Sequence, residues 1–197
     1  MWSSPKIRCR VGGWHEASSA RLTVVTARTS EVIARAASLD AEARYWQGTP
    51  NDLALPDVAS GSDPYVASPG YEAFVGRERR TNRLLVDISL SYHDGRFQVG
   101  GNVAAGHRRQ GYGREALGMV CVIAHRHLGI AELYASCEVS NDASRRWLAS
   151  CGFAPTPGPP RITLSNGRVV EACWWRHVDR APRLRCRNDV WAERICR

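Results

Sequence analysis

Lysine is almost missing from this chain: of its 27 basic residues, all but Lys6 are arginine. Paired cysteines are missing too. The seven cysteines, at 9, 121, 137, 151, 173, 186 and 196, are odd in number and form no C-x-x-C unit, which excludes a disulfide framework and a structural zinc site and leaves ordinary thiols. Among the six histidines, His125 and His127 lie two apart on an expected helix and point away from each other, so no metal is expected. The longest nearly apolar run, Ala116 to Ala124, is far shorter than the roughly 20 residues of a membrane-spanning helix. No basic-then-apolar leader opens the chain, so the expectation is a soluble cytoplasmic protein with no membrane partner. No internal repeat is visible.

The 197 residues, 44% of them apolar, suit a single domain with its own core. Net charge is +8, a field that draws phosphates, nucleic acid or acidic protein segments. A coding bias toward arginine accounts for it equally well. The densest stretch, Arg176 to Arg197, carries seven arginines against three acids and reads as an RNA-touching tail or a solvated end.

Residues 1–20 lack a clear period and read as an N-terminal arm; 21–180 read as the folded domain and 181–197 as an Arg-rich tail. Within the domain, "RLTVVTA" (21–27) is a strand. Ser30 and Asp40 are placed to cap helices through "EVIARAASL" and "AEARYWQ". Proline, glycine, serine and aspartate make 49–70 a long loop. Strands follow at 71–77, 83–93 and 96–103, the last two joined by the turn signal Asp94-Gly95. Leu117, Val120, Cys121, Ala124 and Leu128 fall at helical spacing, and "ELYASCEV" (132–139) alternates as a strand. A short helix with Ala143, Trp147, Leu148 and Cys151 inward precedes a closing hairpin around Asn166-Gly167. This order predicts an α/β (mixed αβα sandwich) fold, a mixed sheet with helices on both faces.

The stretch that carries chemistry is "GHRRQGYGREAL", Gly106 to Leu117. A strand ends at Val103, a turn follows, and glycines and arginines open a helix. Helix starts expose unpaired N–H groups and a partial positive charge, and glycine lets a ligand approach the backbone. Neither the G-x-G-x-x-G fingerprint nor the Walker Lys-Ser/Thr ending is present, so the physics points to a phosphate or pyrophosphate site of another kind. The plainer alternative is a glycine-bearing loop whose arginines face water.

Arg108-Arg109-Gln110-Gly111-Tyr112-Gly113 resembles the Arg/Gln-x-x-Gly-x-Gly/Ala signature of the GNAT acetyltransferases. A second block, "EVSNDASRRWLASCGF" (138–153), is similar to that family's later strand–helix segment, and the pairing of Asn141 with Ser144 most resembles the branch acting on ribosomal-protein N-termini. The resemblance implies a GNAT fold whose mostly antiparallel sheet splays at the cofactor site, with acetyl-coenzyme A as co-substrate. It implies that Gly101, Asn102 and Val103 bind the pantetheine arm through their backbone. It further implies that Arg108, Arg109, Gln110, Gly111, Tyr112, Gly113 and Arg114 form the pyrophosphate loop, and that Asn141 lies near the reactive centre. Asn141 reads otherwise as a helix cap. The tyrosine that many members place seven residues after this asparagine is Leu148 here, so Ser144 becomes the candidate acid, or else a solvent-facing serine.

The implied reaction is direct attack of an amine on the thioester, which gives no cysteine a role. A neutral amine is needed, and deprotonating lysine at neutral pH costs about 3–4 kcal/mol more than deprotonating an α-amine. The family's usual glutamate positions are Gln98 and Ser136 here, leaving Glu138 or Asp87 to act through water unless each merely pairs with an arginine. That shortage favours α-amines. The acceptor is a peptide N-terminus or small amine, with an aminoacyl-tRNA as the alternative partner and a non-catalytic acyl-coenzyme A-binding module as the reading without turnover. Tyr112, Trp46, Trp174 and Trp175 either line the pocket or fill the core. A monomer or homodimer is expected.

Overall fold

The computed structural model describes residues 5–10, 14–47 and 71–183. Ten strands form one sheet. They are Lys6–Arg10 (β1), Trp14–Ser18 (β2), Leu22–Thr26 (β3), Tyr71–Glu78 (β4), Leu84–His93 (β5), Arg96–Val103 (β6), Glu132–Glu138 (β7), Ala154–Thr156 (β8), Arg161–Thr163 (β9) and Val169–Val178 (β10). Their order is β1-β2-β3-β4-β5-β6-β7-β10-β8, with β9 pairing β10. Every described pairing is antiparallel except β6 with β7, which touch in register only at Gln98 and Tyr134. Toward Val103 and Glu138 the two strands part. That split is where the site forms.

Among the described residues four α-helices cover the sheet: Thr29–Ala37 (α1), Ala41–Gln47 (α2), Tyr112–Arg126 (α3) and Asp142–Ser150 (α4). Period-two alternation decides which face each strand residue takes. Phe74, Val86, Ile88, Leu90, Val99, Leu133 and Ala135 turn to one face and bury against Leu117, Met119, Val120 and Ile123 of α3. Removing one such leucine or isoleucine side chain costs about 2–5 kcal/mol. The other face holds a smaller cluster, Ala27, Ala73 and Val75, packed by Val32 of α1. Beside that cluster the same face carries Asp87, Ser89, Asn102, Ser136 and Glu138, which form the floor of the site.

The expected strands at 71–77, 83–93 and 96–103 and the Asp94-Gly95 turn appear within a residue of their anticipated bounds, whereas the second hairpin closes more widely, from Leu164 to Arg168 around Ser165, Asn166 and Gly167. Asp94 and Gly95 take positive φ, as a primed two-residue turn requires. Asp40 caps α2 through Ala43 N–H at 3.3 Å. The start of α1 differs: Thr29 opens it, and Glu31 reaches back to the Arg28 amide at 2.8 Å, so Ser30 lies inside the helix rather than at its cap.

The larger difference is at the N-terminus. The stretch read as an arm supplies β1 and β2, which extend the sheet beyond β3. The inward positions of β2 are His15 and Ala17, both buried. His15 is admitted because its Nδ1 meets Glu72 Oε1 at 2.8 Å, and the Thr26 hydroxyl donates to the same oxygen at 2.7 Å. A buried imidazole–carboxylate pair conceals the alternation that apolar residues would have displayed. Of the tail, 184–197 lies outside the described residues, as does the 49–70 loop.

Candidate active site

The first half of the site is the turn from β6 into α3. After one 3-10 turn at Ala105–His107, Arg109 and Gly111 take φ of 60° and 84°, both in the left-handed region. Gly111 caps α3 with no side-chain partner. The first-turn amides that follow it have no acceptor within the helix, so they face outward. Arg21 pins this loop from behind: its guanidinium bonds Glu115 at 2.5 Å and the Gln110 carbonyl at 3.1 Å and lies 4.8 Å over the Tyr112 ring. In front is a cavity of 550 Å³, lined among others by Val103, Arg109, Gly111, Gly113, Arg114 and Arg146. Arg109 and Arg114 are exposed. Open amides and unpaired guanidinium groups suit a diphosphate.

Several expected cradle residues sit here in other roles. Arg108 lines the cavity, but its guanidinium grips Asp40 at 2.6 Å and Glu42 at 2.6 Å, tying the loop to α2 and holding the Asp40 carboxyl below its ordinary range. Gln110 bonds the Gly106 carbonyl at 3.1 Å. Tyr112 turns into the core and donates to Glu78 at 2.8 Å, so only its backbone faces the cradle side. Gly113 serves packing as well: a β-carbon there would come within 2.9 Å of Val103 and 3.2 Å of the Trp147 indole nitrogen. At Gly101 a β-carbon would overlap the Asp87 carbonyl of the neighbouring strand.

The second half is a cavity of 470 Å³ on the polar sheet face, between α1–α2, the split strands and the β9–β10 turn. Asp87 lies at its base with Arg35 Nε at 2.7 Å on one carboxylate oxygen and Asn102 Nδ2 at 2.9 Å on the other; Arg35 also donates to Asn102 Oδ1. Burial pushes the Asp87 carboxyl up to about 6, against the pull of Arg35. So the Asn102 side chain belongs to this network, and its backbone borders the split. Glu138, across the opening on β7, meets Arg168 at 3.5 Å and accepts from Ser140 at 2.9 Å. Arg168 also stacks on the Tyr45 ring at 4.0 Å and bonds the Tyr45 hydroxyl at 2.8 Å, so the hairpin turn leans on α2 across the cavity.

The two cavities share Trp46, Gly101, Asn141, Ser144 and Trp147. Asn141 is buried and caps α4, its Oδ1 accepting the Ser144 amide at 3.0 Å. Asn141 thus takes the role of a helix cap, and it also lines both cavities. Ser144 presents its hydroxyl at that junction with no hydrogen bond to another described residue. Of the aromatic candidates, Trp46 lines both cavities, whereas Trp174 is buried with its Nε1 on the Pro159 carbonyl at 2.7 Å, and Trp175 packs against the core. Cys137 borders the second cavity, and burial raises its thiol to about 12, far from a nucleophilic thiolate.

Three residues escaped sequence reasoning. Arg35 is buried on α1 beside Val32, Ala36 and Leu39; an arginine adjoining an apolar helical stripe was the available signal. Trp147, read as core, forms the wall between the cavities, and its indole N–H is buried with no hydrogen-bond partner among the described residues. Arg21 carried no local signal.

Comparison with known proteins agrees with this geometry. The model of the acetyltransferase (GNAT) domain matches residues 21–154. No curated protein sequence matches the chain. Among solved structures, a ribosomal-protein-S5-alanine acetyltransferase from Vibrio fischeri superposes with a TM-score of 0.62 at 14% identity, covering 84% of this chain and 97% of that one. A spermidine N-acetyltransferase from Vibrio cholerae, in complex with CoA and spermine, gives 0.63 at 12% identity over 83% and 98%. The microcin C7 self-immunity acetyltransferase MccE, in complex with acetyl-CoA and AMP, gives 0.64 at 13% over 82% and 94%. With two thirds of its length inside the family model and a sheet split beside a glycine-capped helix, this chain belongs to the GNAT acetyltransferase family.

Proposed function

We propose that the chain transfers an acetyl group from acetyl-coenzyme A to a primary amine, the α-amine of a peptide or protein N-terminus or of a small molecule. The observation that carries this reading is the meeting of two cavities at Gly101, Asn141 and Ser144, beside the split between β6 and β7. A thioester delivered from one side meets an amine delivered from the other.

The residues present fit coenzyme A. Outward first-turn amides at 112–114 and the guanidinium groups of Arg109, Arg114 and Arg146 match a diphosphate, and the absence of a side chain at Gly113 keeps the helix start close against Val103 and Trp147. Of the neighbours, two were crystallised with CoA or acetyl-CoA.

The amine nitrogen attacks the thioester carbonyl, the new C–N bond forms, the C–S bond breaks, and one proton moves from nitrogen to sulfur overall. Asp87 receives the amine's proton through water. Each of its oxygens holds one donor from Arg35 or Asn102 and keeps a lone pair for another. With its carboxyl raised to about 6 it is ionised at neutral pH, yet a better base than an ordinary aspartate. Ser144, at the junction, donates to the departing sulfur. Glu138 is engaged by Arg168 and shapes the opening.

The test is to mix the protein with acetyl-coenzyme A and a panel of α-amines, lysine side chains and polyamines and to follow thiol release. Turnover with α-amines supports the reading. Coenzyme A binding without turnover on any amine would replace it with a non-catalytic binding module.

A further inference from the structure

Beyond the acceptor cavity a strip of partly exposed residues on the same sheet face runs toward the start of β6. Its floor is Ser89 and Ser91 of β5, Gly100 and Gln98 of β6, and Tyr134 and Ser136 of β7, side chains that the registers place on one face. Every one of these is neutral. The carboxylates nearest the cavity, Asp87 and Glu138, are already held by Arg35 and Arg168. Among the described residues this face therefore offers no unpaired carboxylate to a polycationic acceptor.

At the far end of the strip stands Arg96, on the same face as Gln98. It is half-buried, with its guanidinium 5.1 Å from the Tyr134 ring centre and 5.5 Å from that of Trp174. The neighbouring charges are already taken: Glu132 accepts from the Tyr134 hydroxyl at 2.5 Å and pairs with Arg176 at 3.3 Å, and Asp94 pairs with His93 at 3.2 Å. Arg96 has no hydrogen-bond acceptor among the described residues. Two rings fix the plane of a cation whose donors stay open, which is the arrangement that receives a carboxylate end-on.

We infer that the acceptor is a peptide whose N-terminal amine enters at the split and whose acidic side chain, at about the fifth residue, is held by Arg96. This rests on the N-acetyltransferase reading above. Arg96 precedes Gly101 by five residues on one strand. At roughly 3.3 Å per residue that is about 16 Å, the span of about five residues of an extended peptide.

The experiment compares seven-residue peptides beginning with serine or alanine and carrying glutamate, glutamine or lysine at the fifth position, with spermidine and an aminoacyl-tRNA as further acceptors. For the unaltered protein the glutamate peptide should show a KM about two- to fivefold below that of the glutamine peptide, the range of a partly exposed ion pair. Arg96→Gln should bring that ratio to one, and Arg96→Glu should favour the lysine peptide. Arg80→Gln, at an exposed turn away from the strip, should leave the ratio as it was. Inversion by charge reversal is a readout that loss of folding cannot imitate.

Equal KM values for the three peptides, a ratio that survives Arg96→Gln, or faster turnover of spermidine or aminoacyl-tRNA would overturn the assignment while leaving the acetyltransferase reading standing. Failure to turn over any amine would remove both, and thiol release distinguishes that case.

Discussion

The two cavities that meet at Ser144 hold their charges in opposite ways. On the cofactor side, Arg109 and Arg114 are exposed beside outward amides, ready for an incoming anion. On the acceptor side, Arg35 is closed on Asp87 and Arg168 on Glu138, so the wall is nearly neutral toward whatever enters. One half is built to bind by charge. On the proposed reading the other positions an amine, with Asp87 raised by burial above an ordinary surface acid.

The sharpest way to break this contrast is Gly111→Asp. Aspartate enters the left-handed region more readily than most residues, and its β-carbon would stand 3.3 Å from the Arg21 guanidinium, so the new negative charge competes for the cation that pins the loop and weakens the positive field at the diphosphate. Coenzyme A affinity should fall by a factor of about 100, equivalent to about 3 kcal/mol, while the melting temperature drops by only a few degrees. Calorimetric titration beside a thermal melt checks both. Gly113→Asp is less clean, because its side chain would also press on Val103 and Trp147.

On the acceptor side, Asp87→Asn should lower kcat by about 100-fold, the usual scale of a lost general base, with cofactor affinity little changed. The sign of the pH dependence follows from the raised carboxyl. Below about pH 6 Asp87 is protonated and cannot accept the amine's proton, so kcat should rise through a limb near 6, and Asp87→Asn should lack that limb. A kcat–pH profile of both proteins decides it. Ser144→Ala should have a smaller effect, about tenfold in kcat, since water can protonate a thiolate slowly; full activity would remove the serine from the reaction.

The same contrast governs what could be read from the chain. The cradle is contiguous, Gly106 to Leu117, so its glycines and arginines announce it in one glance. The strands of the central sheet were legible because their alternation is apolar. The acceptor side is assembled from Arg35, Tyr45, Asp87, Glu138 and Arg168, residues that only the sheet order brings together. Asp87 and Glu138 could be named as possible bases, but their partners could not, because a pairing between α1 and β5 leaves no local pattern. β2 was hidden for a related reason: its inward histidine is stabilised by Glu72, far along the chain. Arg108 shows the converse, a motif residue whose charge is claimed by Asp40 and Glu42 of α2.

The most direct measurement is a crystal structure of the protein with coenzyme A. The diphosphate should lie on the amides of residues 112–114 at the start of α3, with the thiol end emerging between β6 and β7 beside Ser144. A coenzyme bound elsewhere, or bound there with its thiol directed away from the cavity that contains Asp87, would contradict the account.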